Sequence, residues 1–335
     1  MENRLKNIGI IGAGAWGTAL SCILNKKENI TIWSYEKKTV HQINKYRTNK
    51  TFLPNIKIPN NISATNNLKD LMSCKFIFIC VPSQFIKKII LKFKNFYKKD
   101  MIFVNCSKGI EHSSKLLISD IIKKILPGSE VAILSGPSFA IEVAKKKPTA
   151  VTIGSKDEKN AKKLAKLVNS KTFRCYYSND IVGVQLGGVI KNILAIASGI
   201  VESQNLGSSA RAALITRGLA EVSRLAYALG ARRETLSGLS GLGDLVLTCT
   251  GKLSRNRRVG FELGKGKPLD EIVTGMSMVA EGIRTTDAGL SLGACHGVEL
   301  PITSQMSEVL AGRIEPRAAV EALMLRRQRI ESEPD

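Results

Sequence analysis

The chain has 335 residues, of which 44% are hydrophobic and 23% are charged. This balance is ordinary for a globular protein with a large core, and it excludes a disordered, collagen-like or coiled-coil chain. At roughly 100 to 200 residues per domain, the length predicts two domains. Seven scattered cysteines without a C-x-x-C pair, and only three histidines, argue against a metal site or a disulfide framework. With no apolar run of about 18 residues, we expect a reduced cytoplasmic protein without membrane insertion.

The net charge of +22 is concentrated in one half of the chain. Residues 1–175 contain 29 Lys and 3 Arg against 11 acidic residues, a net charge of +21, whereas residues 176–335 carry +1. A basic half can indicate nucleic acid, a membrane surface or small anionic ligands. The lysines cluster on predicted helices and turns without the interleaved aromatic residues of a single-strand-binding groove. We interpret most of them as a solvated surface and expect no nucleic-acid partner.

In chain order, short apolar runs alternate with helical patterns until about residue 180, where the strand signals stop. The predicted strands are 7–11, 30–33, 76–81, 101–105, 131–135 and 150–154. The predicted helices are 18–24, 85–96, 115–125, 159–168, 181–202, 210–229, 257–263, 284–296 and 301–310. Alternating strands and helices predict a doubly wound, mostly parallel sheet. The helical period after residue 180 predicts an all-α region.

Residues 12–17 read Gly-Ala-Gly-Ala-Trp-Gly, directly between the first predicted strand and the first predicted helix. In such a turn Gly12 permits the tight bend, Gly14 lets the backbone approach a pyrophosphate, and Gly17 lets the helix pack on the strand. The helix N-terminus then offers N–H groups to the pyrophosphate. The sequence therefore contains a dinucleotide-binding fingerprint in the context that the motif requires.

Together these patterns predict an α/β fold with a Rossmann-type NAD(P)-binding domain over residues 1–180 and an all-helical substrate-binding domain over residues 181–335. The cofactor is expected to be NADPH or NADH, and the residues after the second strand leave the choice open. Glu36 could bind the ribose 2′-hydroxyl of NADH, whereas Lys37 and Lys38 could hold the 2′-phosphate of NADPH.

Two lysines stand apart from the surface clusters. Lys108 follows a predicted strand directly, at the end where open α/β sheets bind ligands. Lys191 lies near the start of an apolar helix and is the only lysine between Lys171 and Lys252. A lone cation there is either catalytic or extended towards water, and the residues alone leave both interpretations open. Two lysines in one pocket would lower each other's pKa, which favours a general acid for carbonyl reduction.

A third cluster suits an anionic, hydroxylated ligand. Asp244 and Thr248 lie in a glycine-rich segment, and Ser-Arg-Asn follows at residues 254–256. Arginine can bind a phosphate through two N–H groups, although an exposed arginine-rich turn is the alternative. Gly136 and Ser138 lie in a turn after a strand, where they could either offer backbone N–H groups to a ligand or form a simple connection.

The motifs taken together resemble the bacterial NAD(P)-dependent glycerol-3-phosphate dehydrogenase family. In order they are GAGAWGTAL, N-x-x-FLP, CSKGIE, SGPSFA, LGGVIKNILAIASGI, ARAALITRGLAE, GLGDLVLTCT, SRN and VAEGIRT. The resemblance covers nearly the whole chain. It implies reversible hydride transfer between sn-glycerol 3-phosphate and dihydroxyacetone phosphate, supply of glycerophospholipid synthesis, and a homodimer. The rival hypotheses are a β-hydroxyacid or opine-type dehydrogenase of the same architecture and a non-catalytic nucleotide- or nucleic-acid-binding protein.

The resemblance also implies roles for individual residues. Lys191 would exchange the proton at the substrate C2 oxygen, with Lys108 and Asp244 as further catalytic residues. The implied substrate contacts are Lys108, Gly136, Ser138, Lys191, Asn192, Asp244, Thr248, Ser254, Arg255 and Asn256. The implied cofactor contacts are Gly12, Gly14, Ala15, Trp16, Gly17, Tyr35, Phe52, Lys108, Ala140, Arg255, Val279 and Glu281.

Overall fold

The structure, a computed structural model, describes residues 7–24, 29–111, 113–276, 280–328 and 330–331. Contacts between Cα atoms divide the chain into two compact units. Unit 1 consists of Met1–Ser107 and Leu116–Ile181, and unit 2 consists of Lys108–Lys115 and Val182–Asp335. The short segment Lys108–Lys115 therefore groups with the helical unit, which the linear order of the predicted elements did not indicate. The domain boundary at residues 180/181 stays a prediction.

Unit 1 is built on an eight-stranded sheet. Its strands are β1 (Ile8–Ile11), β2 (Ile30–Trp33), β3 (Ile62–Thr65), β4 (Phe76–Ile79), β5 (Ile102–Asn105), β6 (Glu130–Ser135), β7 (Thr149–Ser155) and β8 (Phe173–Ser178). Their order in the sheet is β3-β2-β1-β4-β5-β6-β7-β8, and every neighbouring pair is parallel except β6–β7. The predicted doubly wound, mostly parallel sheet is confirmed.

Helices cover both faces of this sheet. They are α1 (Ala15–Ile23), α2 (Lys37–Tyr46), α3 (Ser83–Phe93), α4 (Ile118–Ile125), α5 (Ala140–Ala144) and α6 (Glu158–Val168), with 3-10 turns at Leu68–Leu71 and Lys94–Phe96. The first core cluster contains side chains of α1, α2, α5 and α6, and the second contains side chains of α3 and α4. The central strands β1, β4 and β5 are buried along their whole length, which explains their nearly continuous apolar sequences.

The sequence did not predict the two edge strands. β3 reads Ile-Ser-Ala-Thr and alternates between buried and exposed or half-buried positions. β8 reads Phe-Arg-Cys-Tyr-Tyr-Ser and is fully buried only at Phe173. Each strand pairs on one side only, so neither needs the continuous apolar run that marks a central strand of a parallel sheet.

Unit 2 is helical, as predicted. Its helices are α7 (Ile181–Ser203), α8 (Gly207–Ala228), α9 (Arg233–Ser237), α10 (Asp244–Thr250), α11 (Arg255–Gly264), α12 (Leu269–Thr274), α13 (Glu281–Cys295), α14 (Pro301–Leu310) and α15 (Pro316–Met324). A π-helical turn at Leu239–Gly243 leads directly into α10.

Helix α7 is a long, apolar and buried helix of unit 2. Among the described residues it is the one helix with the length and apolar composition to cross a bilayer, but 94% of its most apolar window is buried inside the protein. Glycines on α7 and on α11 allow close backbone contact between α7 and its neighbours. A Cβ atom at Gly187 would lie 2.8 Å from the Cα of Gly241, and a Cβ at Gly260 of α11 would lie 2.9 Å from the Cα of Ile196. These contacts fix the elements that carry the polar residues described next.

Candidate active site

The glycine turn of unit 1 has the shape that a dinucleotide requires. Gly12 has a φ of +118°, and a Cβ at this position would lie 2.9 Å from the carbonyl carbon of Cys80. A Cβ at Gly17 would lie 3.2 Å from the Cβ of Cys80, so this glycine lets α1 approach the sheet. By contrast, a Cβ at Gly14 would meet no atom within 4 Å. The open side of the turn therefore lies at Gly14, directly before the N-terminus of α1, and it fits a pyrophosphate.

A buried asparagine fastens a second segment to this turn. The Nδ2 of Asn49 donates to the carbonyl oxygen of Ala13 at 2.8 Å and to the Oγ1 of Thr18 at 2.9 Å. Its Oδ1 accepts the backbone N–H of Phe52 at 3.2 Å, and its side chain has no solvent exposure. The N-x-x-FLP motif therefore holds the glycine turn and places Phe52 beside it. The sequence shows Asn49 only as part of a motif, because its hydrogen-bond partners Ala13 and Thr18 lie more than 30 positions away along the chain.

The structure brings other expected cofactor contacts close to the same turn. Ala15, Trp16 and Ala140 pack against one core cluster, since α1 packs against α5. Two expected substrate contacts also lie in unit 1: Gly136 follows β6 with a φ of +144°, and its carbonyl oxygen accepts the hydroxyl of Ser138 at 3.0 Å. These residues all belong to unit 1.

The residues after β2 are exposed, and they do not decide whether the cofactor carries a 2′-hydroxyl or a 2′-phosphate. Tyr35 is 82% exposed. Glu36 accepts the hydroxyl of Ser34 at 2.9 Å and is followed by the exposed residues Lys37 and Lys38 at the start of α2. Of the other expected cofactor contacts, Lys108, Arg255 and Glu281 belong to unit 2, and Val279 lies outside the described residues.

Within unit 2, Lys191 is buried and engaged by polar groups. It lies in the middle of α7 rather than near its start, and only 8% of its side chain is exposed. Its Nζ forms an ion pair with Asp244 and donates to the Oγ1 of Thr248 at 2.9 Å. The alternative in which Lys191 extends towards water is therefore wrong.

Lys108 binds the same carboxylate from another direction. Its Nζ forms an ion pair with the Oδ2 of Asp244, whereas Lys191 contacts the Oδ1. Asp244 is 1% exposed and Lys108 is 20% exposed, so the cluster reaches solvent through Lys108. Thr248 donates its hydroxyl to the main-chain oxygen of Asp244 at 2.6 Å. One buried carboxylate thus aligns two ammonium groups, and a hydroxyl one helical turn further along α10 completes the cluster.

The pKa of Lys191 is lowered from 10.5 to about 7. Burial is the largest cause, because it penalises the charged ammonium. The negative charge of Asp244 opposes this shift, and the positive charge of Lys108 adds to it. The sequence predicted the lowered pKa from the second lysine alone, so it named a contributing cause and missed the largest one.

The burial has a visible structural origin. Leu219, Val222 and Leu245 line the same small cleft as Lys191, together with the glycines at 187 and 241. Because these two glycines let α7 and the π-helical turn approach closely, little room remains for water around the lysine stem. Asp244 is the first residue of α10, directly after that turn.

A second polar group joins three helices of unit 2. The Nδ2 of Asn256 donates to the Oδ1 of Asn192 at 2.9 Å, and its Oδ1 accepts the backbone N–H of Gly282 at 3.0 Å. Asn192 follows Lys191 on α7, so this chain links α7, α11 and the first turn of α13. The sequence named both asparagines as substrate contacts but gave no sign of the bond to Gly282, which is a long-range contact.

The residues before Asn256 form the N-terminus of α11. Ser254 is the N-cap and accepts the backbone N–H of Arg257 at 3.2 Å. Arg255 is exposed at the first position of the helix, and its charge interacts with that of Glu281. An exposed arginine at a helix N-terminus is a suitable site for a phosphate group.

Comparisons with known proteins identify the family. The model of the NAD-dependent glycerol-3-phosphate dehydrogenase N-terminus matches residues 7–161, and the model of the C-terminus matches residues 180–321. The chain is 45% identical over 331 residues to a glycerol-3-phosphate dehydrogenase (NAD(P)+) of Citrifermentans bemidjiense, covering 97% of this chain and 99% of the relative. The corresponding protein of Maricaulis maris is 43% identical, with 96% and 97% coverage.

Solved structures agree with this assignment. The crystal structure of glycerol-3-phosphate dehydrogenase from Coxiella burnetii superposes with a TM-score of 0.92 at 40% identity, covering 96% of this chain and 99% of that one. Ketopantoate reductase from Ralstonia eutropha shares the fold at 15% identity and a TM-score of 0.59, covering 95% and 99%. The chain belongs to the NAD-dependent glycerol-3-phosphate dehydrogenase family and is an oxidoreductase that reduces dihydroxyacetone phosphate to glycerol 3-phosphate with NADH or NADPH.

Proposed function

We propose that Lys191 donates the proton to the C2 oxygen of dihydroxyacetone phosphate and accepts it in the reverse reaction. The observation that supports this role is a buried ammonium group with a pKa lowered to about 7, held between Asp244 and Thr248. A group with a pKa near neutrality can both give and take a proton at physiological pH. The reduced nicotinamide, when bound, supplies the hydride for C2. Proton donation by Lys191 then completes the alcohol without leaving an alkoxide.

Asp244 would orient this proton donor and favour its charged form, and Lys108 would act beside it on the substrate. Asp244 fixes the direction of the Lys191 ammonium. Because the side chain of Lys108 is partly exposed, Lys108 can contact the substrate oxygen as well. A positive group beside the carbonyl oxygen stabilises the negative charge that develops there during reduction. We assign Thr248 to orienting Lys191, because its hydroxyl accepts from the Nζ and donates to the backbone of Asp244.

The substrate phosphate would bind at the N-terminus of α11. The N-terminal dipole of this ten-residue helix and the exposed guanidinium of Arg255 both favour an anion there. Asn256 uses one N–H on Asn192, so its second N–H and the amide nitrogen of Asn192 are suited to oxygen atoms of the substrate. Gly136 and Ser138 remain proposed substrate contacts of unit 1. Binding energy from the unreactive phosphate can then position C2 for reaction.

The dinucleotide would bind along the glycine turn and its neighbours in unit 1. The open side of the turn at Gly14, with Trp16, Phe52 and Ala140 close to it, supports this placement. Gly12, Gly17, Ala15 and Tyr35 complete the proposed contacts of unit 1. Lys108, Arg255, Val279 and Glu281 complete those of unit 2.

The test combines an activity assay with a matched pair of lysine variants. Loss of nicotinamide absorbance is followed with dihydroxyacetone phosphate and either NADPH or NADH, which also decides the cofactor preference. Lys191→Ala should lower kcat by about 10²–10⁴-fold while cofactor binding, measured by fluorescence quenching, is retained. Lys191→Met keeps the length of the stem and should show the same loss. Lys252→Ala, at an exposed lysine of the same unit, is the control.

Retained turnover in Lys191→Met would disprove the role of Lys191. Equal loss of turnover and cofactor binding in both Lys191 variants would show that this lysine is structural.

We further propose a cytoplasmic homodimer whose product supplies glycerophospholipid synthesis. Exposed apolar side chains near the end of unit 2, at Met324, Leu325 and Ile330, support an interface there. Sedimentation equilibrium of the wild type and of Leu325→Lys tests the dimer. A wild-type monomer at micromolar concentration would contradict it.

A further inference from the structure

The outer side of α3 and the turn that follows it form a strongly basic surface. Six lysines and no acidic residue occur between Ser83 and Lys99. All six are exposed: Lys87, Lys88, Lys92, Lys94, Lys98 and Lys99. The opposite side of α3 is buried in the second core cluster of unit 1 through Ile86, Ile90 and Phe93. The helix is therefore amphipathic. One face is buried in the core, and all the charged residues of the other face are lysines.

Large apolar side chains protrude from the same outer face. Phe85 is 48% exposed and Leu91 is 52% exposed. Helical spacing places Lys88 beside Leu91 and Lys92, which follow it by three and four positions, and Phe85 precedes Lys88 by three. Neither Phe85 nor Leu91 belongs to the core cluster that α3 packs on. Core packing therefore does not explain why large apolar residues occupy these two positions. We call the exposed side chains of Phe85, Leu91 and the six lysines the α3 face.

The α3 face continues onto α4, which packs against α3. Lys124 is exposed and Lys123 is half-buried near the end of α4, whose single acidic residue is Asp120. Ile118 and Ile122 bury the inner side of α4 in the same core cluster as α3. The positive surface therefore extends over two adjacent helices and contains eight lysines.

Helix α6, on the other face of the sheet, shows what a merely solvated lysine-rich helix looks like in this protein. It also carries several lysines, but Lys162 forms an ion pair with Glu158 at 2.7 Å. Its apolar residues Ala161, Leu164 and Val168 are all buried. No residue of α6, which the structure describes in full, is among the large exposed apolar side chains. General lysine enrichment accounts for α6. It does not account for a run of six lysines without any acidic residue, nor for the protruding apolar side chains of the α3 face.

We propose that the α3 face docks on the surface of a bilayer that contains anionic phospholipids. Clusters of four to eight lysines on an amphipathic helix attract anionic headgroups, and the attraction falls off within a Debye length. Protruding leucine and phenylalanine side chains can enter the headgroup–acyl boundary, which a nucleic acid does not offer. Nucleic-acid surfaces favour stacked aromatic side chains and arginine forks instead, and the α3 face has one exposed phenyl ring and no arginine.

The α3 face and the glycine turn are separate parts of unit 1. Helix α3 starts directly after the carboxyl end of β4 and runs along the face of the sheet, while the glycine turn lies at the carboxyl end of β1. The α3 face does not include the glycine turn, but Lys92 lines one cavity together with Tyr35, a proposed cofactor contact. The docking test therefore leaves Lys92 unchanged. Docking would be peripheral and reversible, with no chain segment crossing the bilayer.

The experiment is co-sedimentation of the full-length protein with vesicles of phosphatidylcholine alone or of phosphatidylcholine with phosphatidylglycerol. We expect sedimentation only with the anionic vesicles and release at high salt. Lys88→Glu/Lys94→Glu, at two exposed lysines of the α3 face, should weaken binding by about tenfold or more. Leu91→Ser should weaken it without changing the charge. The matched control, Lys159→Glu/Lys166→Glu, makes the same charge change on exposed positions of α6 and should weaken binding less than the α3 pair does. Turnover and Tm of every variant should equal those of the wild type.

Three results would overturn the proposal. One is failure of the wild type to sediment with anionic vesicles. A second is equal loss of binding in the α3 and α6 pairs, which would show an effect of net charge alone. The third is tighter binding to duplex DNA than to anionic vesicles, with the same loss in the α3 pair, which would make this surface a nucleic-acid site.

Discussion

The two units use positive charge in opposite ways. In unit 1 the lysines lie mainly on the surface, where water solvates them, and the glycine turn proposed to bind the dinucleotide contains none. Unit 2 has few lysines, yet Lys191 is buried against a single carboxylate. The half of the chain with a net charge near zero therefore contains Lys191, the lysine whose pKa is lowered to about 7. Burial, rather than the number of charges, decides which lysine is chemically useful.

The largest expected effect comes from removing the carboxylate that the two lysines share. In Asp244→Asn the pKa of Lys191 should fall below its wild-type value of about 7, because the negative charge of Asp244 raises that pKa in the wild type. If Lys191 is the proton donor as proposed, reduction of dihydroxyacetone phosphate at neutral pH should slow by about 10²–10⁴-fold. Steady-state kinetics measures this. The dissociation constant of the cofactor, measured in parallel, should change far less, and a comparable change in both would argue that Asp244 holds the fold.

The next effect concerns the glycine turn of unit 1. Asn49→Ala removes the shorter of two hydrogen bonds to the buried carbonyl oxygen of Ala13 and leaves only the 3.3 Å bond from the hydroxyl of Thr18. The free energy of unfolding should therefore fall by about 1–3 kcal/mol. The dissociation constant of the cofactor should rise while kcat changes little, because Lys191, the proposed proton donor, lies in unit 2.

Asn44→Ala is the matched control for Asn49→Ala. Asn44 donates to and accepts from the backbone of Ala64 at 2.8 Å, and it lies on α2. Its loss should also lower Tm, but the affinity for the cofactor should stay unchanged. If both variants weakened cofactor binding equally, Asn49 would have no specific role at the turn.

A smaller effect follows from the pKa of Lys191. Reduction needs the protonated amine, so kcat/KM should be constant below pH 7 and fall about tenfold per pH unit above it. Oxidation of glycerol 3-phosphate needs the neutral amine, so its kcat/KM should rise up to about pH 7 and then level off. Opposite pH profiles with one shared midpoint would identify a single acid–base group. Parallel profiles in the two directions would count against Lys191.

The smallest effect should come from an exposed lysine of unit 1. Lys162→Gln removes a cation that pairs with Glu158 on the surface of α6. We expect no measurable change in Tm, KM or kcat, since solvent screens such pairs. Thermal unfolding and the standard assay check this, and any clear loss of activity would show that the surface lysines contribute to catalysis.

Much of unit 1 could be predicted because its signals are local. The fully buried central strands read as apolar runs, and the glycine turn lies between a strand and a helix in the sequence itself. The edge strands β3 and β8 could not be found this way, because each is stabilised from one side only. The same applies to α2, in which only Thr39 and Ile43 are buried.

In unit 2 the period predicted the longer helices α7, α8, α11, α13 and α14. It missed the shorter helices α9, α10, α12 and α15, and it could not give the arrangement of the polar residues. The Nζ of Lys191 contacts two residues that lie more than 50 positions further along the chain. Only the packing of α7 against α10 and its preceding turn reveals that the lysine is buried. The bond from Asn256 to Gly282 likewise depends on how α11 and α13 meet.

By itself, the sequence determined the identity of the chemical groups: the glycine fingerprint, the two separate lysines and the polar residues that follow Asp244. These follow from residue type and short spacing, which need no tertiary information. The tertiary structure decided which groups share one carboxylate, how deeply Lys191 is buried and what Asn49 holds in place. The physical reason is that a pKa and a buried hydrogen bond depend on desolvation and on neighbours in space, which the order of residues along the chain does not specify.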